Sequence, residues 1–157
     1  MKKAAIIDLF RKMRRLHTTL IIVMVFLMLI IYSYVYHKTA LLTISFDTTC
    51  LYLIISAIIS LASVFYVENL TRKKMPLIPA KSSLKEKLFF YRRIYGIQIT
   101  ITAMLIQLNT IAYLVLGNSV FFIMAFAVLV FLLTIKPSAE KFLKNSVITK
   151  EEEALFK

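Results

Sequence analysis

The sequence predicts an all-helical membrane fold: an antiparallel four-helix transmembrane bundle with both termini cytoplasmic and short interfacial amphipathic helices. Three observations predict it. First, four apolar stretches, at about residues 16–36, 47–67, 94–117 and 119–135, are each close to the ~20 helical residues that cross a hydrocarbon core of about 30 Å. Second, the chain is 60% hydrophobic yet holds only 2 Gly and 3 Pro. A backbone in lipid must satisfy its own hydrogen bonds, and an unbroken helix does so. Third, 19 of the 20 Lys and Arg residues lie in segments 1–15, 68–93 and 136–157, which alternate with the spans. The positive-inside rule places these three segments in the cytoplasm.

The charge is therefore a topology signal first. Segment 1–15 carries six basic residues against Asp8, and segment 68–93 carries eight against Glu68 and Glu86. Segment 136–157 carries five against Glu140 and Glu151, Glu152 and Glu153. Attraction to anionic headgroups at the cytoplasmic face follows from this placement. Nucleic acid is not an expected partner, because the charge borders the membrane without a recognition motif. The single Cys excludes an internal disulfide and a cysteine metal cluster.

Along the chain, residues 1–15 read as a cytoplasmic amphipathic segment. Ile6, Leu9, Phe10 and Met13 share one helical face suited to the headgroup layer. The first span, 16–36, follows basic residues as a signal peptide would. Its apolar run is too long for that and no cleavage pattern follows, so it reads as a retained anchor. Tyr32, Tyr34 and Tyr36 mark its outer end as an interfacial belt. His17 and His37 stand at opposite ends of it, cannot share a metal, and read as surface or interfacial side chains. A short outer connection, Lys38 to Phe46, precedes Asp47, placed to cap the second span. In that span Thr49, Tyr52, Ser56, Ser60 and Ser63 recur every three or four residues. Small hydroxyl residues at this spacing form a packing seam. No His or Lys is placed to activate a serine, so the seam is not a nucleophile.

The basic connection 68–93 contains MPLIPA, which two prolines make extended. Ser83 with Glu86 is a capping box that starts a helix at about Leu84. That helix either bends near Gly96 or runs straight into the third span. Gly117, Asn118 and Ser119 give a tight turn into the fourth span, which has no polar residue between Ser119 and Thr134 and reads as lipid-facing on most sides. Ser138 caps a short segment ending at Asn145, and Thr149 with Glu152 repeats the capping box in a tail read as solvated.

The third span alone carries side-chain amides. Gln98, Thr102 and Asn109 fall on one face, while Thr100 and Gln107 fall on nearly the opposite one. Amides and hydroxyls in hydrocarbon seek partners on other helices or line a cavity. The span contains no Asp, Glu, Lys, Arg or His, which argues against a proton relay or an ion-coupled carrier. MRRLHTTLIIVM (13–24) and YRRIYGIQITIT (91–102) share a pattern that either marks a duplicated hairpin or reflects two basic-flanked span entries.

The layout, with its Pro-led acidic tail KPSAEK…ITKEEEALF, resembles small uncharacterised bacterial inner-membrane proteins with four spans. The resemblance implies a multi-pass place in that membrane and no particular activity. The function expected first is a non-enzymatic scaffold or accessory subunit, a homo- or hetero-oligomer, associating through the polar faces of spans two and three. The alternative is an oligomeric channel, holin-like pore or small transporter lined by Gln98, Thr102, Gln107 and Asn109. A membrane enzyme working through Arg92 and Arg93 ranks last. No cofactor and no metal are expected.

Overall fold

A computed structural model describes residues 3–37, 46–74, 76, 82–149, 152, 153 and 156. Among them every regular element is helical: α1 (Lys3–His37), α2 (Phe46–Lys74), α3 (Leu84–Leu116), α4 (Ser119–Thr134) and α5 (Ala139–Asn145). Three of these, α1, α2 and α3, are long and apolar enough to cross a membrane, and the bent pair α4 and α5 raises the number to four.

The helices are longer than the apolar runs. α1 has no break at residue 15: the basic segment is its first turns, not a separate helix in the headgroups. α3 runs 33 residues, about 50 Å at 1.5 Å per residue, straight through Gly96. A Cβ on Gly96 would meet nothing within 4 Å, so that glycine marks neither a break nor a close approach. α4, by contrast, has 16 residues, about 24 Å.

Caps explain the boundaries. Ser83 Oγ accepts from Glu86 N, and Glu86 Oε2 accepts from Ser83 N at 2.9 Å, which completes the capping box. At the far end Gly117 sits at φ 68° and its N–H donates to Tyr113 O. That left-handed cap favours glycine and turns the chain in two residues. Asn118 then accepts from Val120 N to open α4. Asp47, most of MPLIPA and the outer connection lie outside the described side chains; Pro76 itself sits in a 3₁₀ turn.

α3 is the hub. α4 folds back along it with the most extensive contact, and α1 and α2 pack against α3 and α4 rather than against each other. Pairings with α1 ascend together along both helices: Phe10 with Tyr91, His17 with Tyr95, Tyr32 with Tyr113. Pairings with α2 run oppositely, Ser56 with Asn109 and Val67 with Gln98. The matched stretches 13–24 and 91–102 thus lie side by side, but the first hairpin is open where the second is closed, so the packing does not repeat. α4 departs from the lipid-facing expectation by burying a full stripe, Phe121, Ala125, Val128 and Leu132, against the hub. Its opposite face, Ile123, Phe126 and Leu133, stays exposed.

The buried core continues without a break past the ends of the apolar runs. Ile6, Phe10 and Met13 of α1, Leu84, Leu88 and Tyr91 of α3, and Phe142 of α5 are buried together. Phe142 lies 5.3 Å from Tyr91 and 5.6 Å from Phe156, centroid to centroid. The tail is therefore docked, where a solvated tail is expected, because its two phenylalanines complete a core that the protruding ends of α1 and α3 leave open.

Candidate functional site

The polar faces of α2 and α3 meet each other. Asn109, wholly buried, is the centre. Its Oδ1 accepts from Ser56 Oγ at 2.8 Å, and its Nδ2 donates to Ser60 Oγ at 3.2 Å and to Leu105 O at 2.9 Å. One helical turn separates Ser56 from Ser60, so both hydroxyls reach one amide. Nearer the basic end, Gln98 Nε2 donates to Val67 O at 2.7 Å, and Thr102 Oγ1 donates back to Gln98 O. Of the expected seam, Ser56 and Ser60 are buried, Thr49 and Ser63 are half-buried, and Tyr52 points outward. The four residues singled out on the third span separate: Gln98, Thr102 and Asn109 are buried, whereas Gln107 is exposed beside Thr100 on the other side. The structure brings three of them to one seam and no single path holds all four. Arg92 and Arg93 are exposed.

One polar pair escaped the sequence reading. His17 is only 4% exposed, and its Nδ1 lies 2.7 Å from Tyr95 Oη in a hydrogen bond. It is buried inside the protein and not at its surface, because α1 continues through position 17 flush against α3. A signal was present: His17 and Tyr95 occupy equivalent places in MRRLH and YRRIY.

The basic end holds a polar-lined cavity of about 760 Å³ between α2, α3, α4 and α5. Four cations surround it: Arg72 from α2, Lys136 from the link after α4, and Lys141 and Lys144 from α5. Among the described residues Glu68 is the one carboxylate in its lining, and it pairs with Arg72 at 2.8 Å. Tyr95 and Gln98 form its floor, with Val67, Phe131 and Ile135 as an apolar wall. α5 turns 80° from α4 at buried Pro137, which cannot continue a helix. Ser138 caps α5, and Lys141 Nζ donates to Thr134 O, where the carbonyl end of α4 favours a cation.

A third feature fixes the tail. Lys87, 1% exposed, is paired with Glu152 at 2.8 Å. The second capping box holds Glu152 in place, Thr149 N donating to Glu152 Oε2 and Glu152 N to Thr149 Oγ1. Partial burial pushes the Glu152 carboxyl up, but the Lys87 ammonium and the Thr149 amide outweigh it and hold it below its ordinary 4.5.

Among the described residues no three His, Cys, Asp or Glu side chains converge as metal ligands. No protein-family model matches the chain, and neither the curated proteins nor the solved structures offer a match.

Proposed function

We propose that the chain is a non-enzymatic integral membrane scaffold or accessory subunit of a bacterial inner membrane. It crosses four times as an antiparallel four-helix bundle, with α4 as the short fourth span and both ends cytoplasmic. The basic ends of α1, α2 and α3 all fall on one side under this arrangement, as the positive-inside rule requires. The apolar outer faces of α1 and α2, with Phe26 and Phe65 each 65% exposed, then meet lipid instead of water.

The observation that carries the scaffold reading is the division of polar groups on α3. Asn109 is saturated inside the chain and Gln107 is left outside it. Gln107 lies near the middle of the apolar run 94–117, where an amide without a partner costs several kcal/mol, about 2–7 by transfer scales. Thr100, Met104 and Gln107 form one outward stripe, Met104 being 63% exposed. The occupant that fits is a second copy of this chain. A glutamine amide carries both donor and acceptor, so Gln107 pairs with its own symmetry mate across a two-fold axis. The seam of spans two and three thus holds the subunit together, and the face turned away from it joins subunits.

The experiment is a subunit count by single-molecule photobleaching in liposomes, with flux measured on the same vesicles. The expected result is a dimer that Gln107→Leu converts to monomer, with no solute flux above protein-free vesicles. An assembly unchanged by Gln107→Leu contradicts the dimer. Flux that Asn109→Leu abolishes establishes the pore instead.

A further inference from the structure

We infer that the cavity between α2, α3, α4 and α5 is a binding site for a phosphate-bearing anion, of the chemistry an acidic phospholipid presents. Cations repel one another, and side chains on long stems normally spread into water. Here four of them, from three separate stretches of chain, ring one concavity against a single carboxylate. Their convergence is built into the fold. The 80° turn at Pro137 and the fully buried Phe142 fix α5 so that Lys141 and Lys144 border the cavity. An anion among them relieves the repulsion and takes charge-assisted hydrogen bonds. Arg72 is already engaged by Glu68 and Lys141 by Thr134 O. Lys136 and Lys144 therefore carry most of the remaining attraction.

The lining also suits an amphiphile. Val67, Phe131 and Ile135 present an apolar wall on the side of the spans, while the Tyr95 hydroxyl and the Gln98 amide are already engaged by His17 and Val67 O. A volume of about 760 Å³ falls in the ~300–1,000 Å³ range of small-molecule sites. Basic pockets between membrane helices at the cytoplasmic border take anionic headgroups. A lipid and a soluble phosphate ester share the recognised group and differ in whether the apolar wall is used.

The test uses the full-length protein in detergent, so it stands apart from subunit assembly and from topology. Native mass spectrometry counts phosphatidylglycerol retained against phosphatidylcholine, and a second arm titrates glycerol 3-phosphate and inorganic phosphate by calorimetry. The variant pair is Lys136→Gln with Lys144→Gln, both exposed positions. The charge-matched control is Lys73→Gln with Lys85→Gln, exposed positions outside the cavity lining. The expected result is selective retention of phosphatidylglycerol that falls about tenfold or more in the variant and stays unchanged in the control. Binding of the soluble phosphates with the same variant dependence supports the site and assigns it a soluble ligand. Equal losses in variant and control, or no binding in either arm, overturn it.

Discussion

Asn109 and Gln107 are two residues apart and chemically near-identical, yet they do opposite things. At about 100° per residue a two-residue step turns a side chain by more than half a circle. Asn109 faces the two serines of α2; Gln107 faces away. Replacing Asn109 with Leu strands Ser56 and Ser60 and removes three hydrogen bonds. We expect a loss of about 1–2 kcal/mol, read as a lower midpoint in sodium dodecyl sulfate unfolding. Gln107→Leu leaves the subunit itself within about 0.5 kcal/mol of the parent, and equal losses in the two variants would refute the division. The sequence made the amides and the serine seam legible, because polar residues stand out in an apolar run. It left open which stripe turned inward, since two opposed stripes have equal claim until a neighbouring helix takes one. His17 is not legible for a related reason: its place at the end of an apolar run suggests a surface position, and only the parallel packing of α1 on α3 encloses it.

Elements were legible where a local signal existed. Three capping patterns, Ser83 with Glu86, Ser138, and Thr149 with Glu152, each begin helical structure where the side chains dictate. The Gly-Asn turn into α4 is equally local. The docked tail was not legible, because a short acidic segment reveals its phenylalanines' destination only once α1 and α3 protrude beside it. Its latch has a pH signature. Glu152 titrates below its ordinary 4.5 in the folded tail, so the folded state binds fewer protons than the undocked one. The latch is at full strength above pH 4.5 and weakens as pH falls through the depressed value. Hydrogen exchange of residues 142–149 should accelerate only in that acidic window, and Glu152→Gln should accelerate it at neutral pH. We expect the substitution to cost about 1–2 kcal/mol of docking, since it leaves Lys87 buried without its counter-ion. Protection that is unchanged in Glu152→Gln at neutral pH would sink the latch.

At the scale of the molecule, α3 organises everything: two helices flank it, one doubles back on it, and the tail closes over its basic end. About 50 Å of helix in a core of about 30 Å leaves some turns outside. The turns carrying Leu84, Leu88 and Tyr91 extend the core to Phe142 of α5, and Tyr91 borders the basic cavity. The all-helical class was readable from four apolar runs, and their alternation with charge carries the proposed orientation. The hub was not readable, since nothing in the runs says which pairs touch. The orientation is the central claim, because the proposed four-span crossing stands or falls with the side on which the basic ends lie. Its direct test is impermeant-thiol labelling of single-cysteine variants in a Cys50→Ser background, in intact cells and in inverted vesicles. Lys85→Cys and Lys144→Cys should label only in inverted vesicles, and Asn118→Cys only in intact cells. Labelling of Lys85→Cys or Lys144→Cys from outside intact cells would contradict the account.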